Sequence, residues 1–155
     1  MADADLRNLL TDAELSTLRS AYDVNVLFNA SRASLAAPFP PGGPLVDFIV
    51  GHAYHPEVMS PRERERTLIA LLATQNQGRG MTVAVHLYWG LMEGLSITDV
   101  TETLLLVGIY AGVSVYAQAL GTFRVLLGAL REGASKGREG ATTAALIPTL
   151  LGSFR

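Results

Sequence analysis

Three short stretches of the chain share one spacing rule. TDAE at 11–14, SPRE at 60–63 and SITD at 96–99 each place a serine or threonine three residues ahead of a carboxylate. At that spacing the hydroxyl accepts the third helical N–H and the carboxylate turns back to the cap's own N–H, so each stretch is a helix start. Pro61, at the first helical position behind Ser60, strengthens the second. Apolar residues follow at helical intervals, as in Leu15, Leu18, Tyr22 and Val26, while no comparable strand signal recurs. The chain is therefore expected to be all-α.

About six helices can be placed. One follows Thr11, and APFPPGGP at 37–44, with four of the seven prolines, breaks the chain into a loop. LVDFIVGHAY forms a short helix after it. The helix opened by Ser60 is expected to reach about Gln77, where GRG ends it. The helix containing His86 stops at Gly94, the one capped by Ser96 ends near Gly112, and a sixth spans about Ser114 to Leu130. REGASKGREG then reads as a polar, glycine-rich linker before the apolar ATTAALIPTLLGSF. The expected organisation is one helical domain over 1–132 and a flexible linker with an apolar extension over 133–155, docked on the body or on a neighbouring subunit.

The 155 residues suffice for one core. A charged fraction of 17% and a net charge of −2 leave no electrostatic footprint for nucleic acid. A mean hydropathy of +0.29 is high for a lone domain and points to surface buried against other copies. The uncharged run 103–123 is long enough to span a bilayer. Its glycines, its polar Ser114 and Gln118, and the break signalled by AGVS at 111–114 favour two short buried helices, so no membrane partner is expected. The absence of cysteine removes disulfides, thiolate nucleophiles and dithiol redox chemistry. The acidic, polar start MADADLRNLL does not resemble a secretory leader, so a cytoplasmic location is expected.

One apolar helix carries a polar stripe. In GRGMTVAVHLYWGLMEG, at 78–94, helical geometry aligns Arg79, Thr82, His86 and Glu93, with Val83, Trp89 and Gly90 on the same side. Such a stripe either faces water, or hydrogen-bonds in a core, or lines a pocket where Arg79 holds an anion and His86 moves a proton. GHAYHPE at 51–57 brings His52, Tyr54 and His55 close in sequence, as pocket donors or as an exposed loop. A metal site from His52, His55 and His86 lacks carboxylates at matching spacing, so none is expected. RERER at 62–66 reads as a solvated first turn with intrahelical ion pairs, and Tyr88, Trp89 and Met92 as interface or core.

The segment 59–130 resembles the carboxymuconolactone decarboxylase family, which shares an all-α fold with the alkylhydroperoxidases. The resemblance rests on the arginine-rich start, then LIALLA, then Gly78-Arg79, then His86 seven residues on, then GLSITDVTE and GIYAGV, and it extends weakly back through FIVGHAYHPEV. It implies an alkylhydroperoxidase-like helical bundle assembling as a trimer or hexamer. It also implies a cofactor-free active site containing His86, with Arg79, Thr82, His52, Tyr54, His55, Trp89 and Tyr116 toward the substrate. In the peroxidase branch a Cys-x-x-Cys ends four residues before the histidine and a relay glutamate stands nineteen before it. Those positions here are Arg79, Thr82 and Thr67, so thiol peroxidase chemistry is excluded.

The decarboxylase branch fits better, and implies loss of a carboxylate into a conjugated lactone followed by protonation of a dienolate. The chain departs from it at Leu106, Ala117 and Gln118, where polar residues are usual, at Ser114 in place of a proline, and at Tyr116, which is expected to reshape the cavity. Two functions follow. One is a lyase or isomerase acting by proton transfer on a lactone or related oxygenated ring. The other is a non-catalytic oligomeric binder or scaffold with the same fold.

Overall fold

The computed structural model describes residues 6–36, 38, 41–53, 59–75 and 80–152. Among these, helix is the sole regular structure. After a 3-10 turn at Leu6–Asn8 come α1 (Asp12–Ser20), α2 (Val24–Ala36), α3 (Gly42–Ala53), α4 (Pro61–Gln75) and α5 (Met81–Met92). Then follow α6 (Ile97–Ala111), α7 (Val113–Ser135), the single turn α8 (Gly137–Gly140) and α9 (Thr143–Gly152).

All three anticipated caps form. Thr11 Oγ1 accepts Glu14 N–H at 3.2 Å while Thr11 N–H donates to Glu14 Oε2 at 2.7 Å. Ser60 and Glu63 make the same exchange at 3.3 and 3.0 Å. So do Ser96 and Asp99, at 3.0 and 2.8 Å.

The periodicity from Leu15 to Val26 does not make one helix. The chain breaks at 21–23, where Asp23 Oδ1 accepts the N–H of Asn25 at 2.9 Å and so starts α2 as a new helix. The long apolar run divides where expected, at Gly112, whose φ of 110° suits a residue without Cβ.

The middle of the molecule is α5. Val83, Ala84, Leu87, Tyr88 and Leu91 have no exposed surface, and α4, α7 and α9 pack around the helix. Helix α6 closes against α4 and α7, while α1 lies over α7 and α5. From α1, Arg19 donates Nε–H to the Leu91 carbonyl at 2.8 Å and Nη2–H to the Leu95 carbonyl at 3.0 Å. That guanidinium ties α1 to the end of α5 and to the turn that follows it. Helix α3 packs on α2, and α2 on α9.

The C-terminal region departs from the sequence reading. The stretch REGASKGREG, placed as a linker, is instead the end of α7 and the turn α8. Its glycines are contact points. A Cβ on Gly133 would lie 2.6 Å from Leu146 Cδ2 and 2.9 Å from the Gly140 carbonyl oxygen. Small residues here let α9 fold back on α7, burying Leu146 and Leu150 on the body. Thr143 at the start of α9 locks the return, accepting Asp23 N–H at 2.9 Å and lying 3.1 Å from the Tyr88 hydroxyl.

By length and composition α7 alone among the described helices could cross a bilayer. Within the chain its Ala119, Phe123, Leu126, Leu127 and Leu130 are completely buried in the core.

Candidate functional site

The phase of α4 decides what faces α5. Its buried positions are Glu65, Ile69 and Ala73, one per turn along a single stripe. A carboxylate thus occupies the first position of an otherwise apolar contact, and Glu65 has no exposed surface. A charge so placed must be paired and hydrogen-bonded. Both conditions are met. His86 Nδ1 lies 2.8 Å from Glu65 Oε2, and Arg64 Nε donates to Glu65 Oε1 at 3.4 Å.

Gly90 lets the two helices approach. A Cβ there would stand 2.7 Å from Leu95 Cδ1, 3.0 Å from Ile69 Cδ1 and 3.5 Å from Glu65 Cβ. One turn from His86, the missing side chain makes room for the helix that carries Glu65.

The hydrogen bond sets the state of the imidazole. A carboxylate only accepts, so Nδ1 carries the hydrogen and, in the neutral ring, Nε2 holds the lone pair. Among the described residues Nε2 has no hydrogen-bond partner. The side chain is 15% exposed, neither sealed in the core nor standing free in solvent.

Trp89 supports the ring from one side. Its indole stacks on His86 with centroids 5.7 Å apart and planes 22° apart. Phe28 from α2 meets the indole edge-on at 5.1 Å, and the Arg64 guanidinium carbon lies 5.8 Å from the indole centroid. Glu93 Oε1 accepts from Trp89 Nε1–H at 3.1 Å and from the Tyr22 hydroxyl at 3.3 Å. Burial, then the Glu93 charge, drive the Tyr22 phenol well above the ordinary range and keep it a donor. The imidazole is therefore oriented at Nδ1 by Glu65 and across its face by an indole that Glu93 and Tyr22 hold.

The structure brings two of the expected site residues, His86 and Trp89, into contact. Thr82 is exposed one turn earlier on α5. His52 is exposed on α3, its Nδ1 2.9 Å from the Phe48 carbonyl oxygen and its ring stacked on Phe48 at 4.3 Å. Tyr116 packs against Gly108 and the core. Arg79, Tyr54 and His55 lie outside the described residues.

The expectation of a solvated turn at 62–66 fails at Glu65; Arg64 and Glu65 pair within α4, while Arg62 and Arg66 reach another helix. Arg62 Nη2 donates to Asp99 Oδ2 at 2.9 Å and Arg66 Nε to Thr103 Oγ1 at 3.1 Å, both on α6. Glu65, Arg64 and Tyr22 are the contributors that sequence reasoning missed. The position nineteen before His86, Thr67, donates to the Glu63 carbonyl at 2.9 Å.

A separate open groove of about 710 Å³ runs between α4 and α6. Arg66, Thr67 and Thr103 lie at one end, Thr74 and Tyr110 at the other, and Ala70, Leu71, Leu106 and Val107 between; His86 is not part of it. Among the described residues no three histidine or carboxylate side chains gather as a metal site.

Compared with known proteins, the chain matches no family model, no curated protein and no solved structure. The site stands on its own geometry.

Proposed function

We propose that the protein is a carboxymuconolactone decarboxylase-like, cofactor-free lyase or isomerase that acts by proton transfer on a lactone or related oxygenated ring. The observation that carries this reading is the 2.8 Å contact between His86 Nδ1 and the fully buried Glu65 carboxylate. A base held by a third group is the arrangement that general acid–base catalysis requires. In a decarboxylation the C–C bond to the carboxylate breaks, carbon dioxide leaves, and the electron pair enters the conjugated carbonyl. Protonated His86 then delivers its Nε2 proton to the dienolate carbon. In an isomerisation neutral Nε2 takes a proton from one carbon and returns it at another.

Arg79 is assigned to the substrate's anionic group, and Thr82, Trp89, Tyr116, Tyr54 and His55 to shaping the remaining pocket. The alkylhydroperoxidase-like bundle, assembly as a trimer or hexamer and a cytoplasmic setting belong to the same proposal. Ile109, Tyr110 and Val113, exposed by 66, 88 and 78%, support self-association.

Turnover of a panel of lactones by wild type and His86→Gln tests the chemistry. Turnover is expected to fall by about 10²–10⁴-fold in a folded variant. Equal turnover would remove His86 from the mechanism.

A second reading, a non-catalytic oligomeric binder, draws on the α4–α6 groove, which is apolar and apart from His86. A wild type that turns over no lactone yet takes up hydrophobic ligands would favour it.

A further inference from the structure

Helix α3 carries an unusual surface. Val46 is buried toward the body, whereas Leu45, Phe48 and Ile49 are 50, 61 and 40% exposed and His52 continues the same stripe. Positions i, i+3, i+4 and i+7 are the anchors with which an amphipathic helix enters an apolar groove. Within the chain α3 packs on α2, joined also by Arg32 and Asp47 at 3.0 Å, and its apolar stripe faces outward.

The groove between α4 and α6 has the opposite need. Leu71, Leu106 and Tyr110 in its walls are 50, 52 and 88% exposed. It extends from Arg66 to Thr74, about 12 Å at helical rise. The stripe from Leu45 to His52 covers about 10 Å on the same measure. Charge agrees as well as length. Arg66 is the one formal charge in the groove lining, and its single bond within the described residues is from Nε to Thr103. A helix C-terminus, with its partial negative charge, suits that end.

We infer that α3 of one copy docks into the α4–α6 groove of a second copy, running antiparallel to α4 so that its C-terminal carbonyls meet Arg66. This rests on the self-association proposed above and names the interface that would form it. Phe48 and Ile49 then lie against Ala70 and Leu106 at the middle of the groove. A single such contact leaves each chain with one arm and one groove, so assembly closes either as a reciprocal pair or as a ring.

The absence of cysteine makes cross-linking a clean test. Phe48→Cys and Leu106→Cys, both at exposed positions, are made in separate full-length chains, mixed and oxidised. The expected product is a disulfide-linked dimer containing one of each, with little from either variant alone. Phe48→Glu and Leu106→Glu are each expected to weaken association at least 100-fold by sedimentation while helical circular dichroism is unchanged.

An assembly that sediments as an oligomer but gives no mixed cross-link, and tolerates both glutamates, overturns this interface and leaves self-association standing. A monomeric wild type overturns both, including the case where the groove instead takes up a probe such as octanoate. A doubly substituted monomer that closes its own disulfide overturns the exchange, because α3 would then fill its own groove.

Discussion

Glu65 reaches His86 across 21 positions of sequence, its Oε2 2.8 Å from the imidazole Nδ1, with the carboxylate wholly inside the protein and the ring 15% exposed. The acceptor is in the low-dielectric interior, and the side chain that faces it is only partly exposed. The buried charge consequently acts on the ring with little solvent screening. A histidine held this way at Nδ1 leaves Nε2 without a hydrogen-bond partner among the described residues, and needs no second protein contact to choose its tautomer.

Glu65→Gln keeps an acceptor for Nδ1–H but removes the charge that faces His86 and Arg64. On the proposed chemistry kcat is expected to fall at least about tenfold with KM little changed, because the substrate is not held by Glu65. Glu65→Ala removes the acceptor too, and stability should drop by about 1–3 kcal/mol in denaturant unfolding. Independent of any substrate, the downfield Nδ1–H proton resonance of His86 should be present in wild type and absent in Glu65→Ala. Its persistence would refute the hydrogen bond.

Two glycines predict opposite outcomes for the same substitution. A Cβ on Gly108 would lie 2.7 Å from Tyr116 Cβ and 3.1 Å from its Cγ. These atoms are fixed close to the backbone, so α6 and α7 must separate. Gly108→Ala should cost about 1–3 kcal/mol, although alanine is the better helix former. Gly128, on the exposed side of α7, has nothing within 4 Å of a Cβ. Gly128→Ala should gain about 0.5–1 kcal/mol. Thermal unfolding of both variants checks the pair, and a gain at Gly108 would contradict the close helix approach.

The parts of this fold that were legible in sequence are those decided within one turn. The hydroxyl–carboxylate caps at Thr11, Ser60 and Ser96 form because both partners lie three residues apart, and Gly112 breaks its run by its own backbone freedom. Tertiary roles were less visible. Gly133 reads as linker by composition, because glycine serves both chain flexibility and close helix approach, and the difference lies in Leu146 and Gly140 across the gap. The break at 21–23 depends on Asp23, whose N–H is held by Thr143 from the far end of the chain.

Glu65 was hidden by its neighbours. Within RERER it reads as one of several solvated charges, yet its spacing from Ile69 and Ala73 already put it on the buried face of α4. A carboxylate in phase with an apolar stripe was the available signal. His86 is recognisable from the thin polar stripe on an apolar helix, but its partner required knowing which helix packs there.

The buried phenols of Tyr22 and Tyr88 are expected to weaken the fold at alkaline pH. Burial, opposed by the Thr143 hydrogen bond, pushes the Tyr88 phenol up from 10.0 to about 12. Tyr22 is raised further, by burial and then by the Glu93 charge. A raised folded-state value means the native protein holds these protons where the unfolded chain has released them. The associated stability is complete below pH 10 and is lost as pH rises through the folded values, Tyr88 alone accounting for roughly 2–3 kcal/mol between pH 10 and 12. Phenolate absorbance at 295 nm and helical circular dichroism should therefore show a shared late phase, in which these phenols ionise only as the helices melt. Tyr22→Phe removes one group that must ionise. It should lower stability at neutral pH by about 1 kcal/mol through the lost Glu93 bond, while making the decline above pH 10 shallower. If all five tyrosines titrate in one step with the circular dichroism unchanged, Tyr22 and Tyr88 are not shielded, and the support assigned to Trp89 and His86 fails with them.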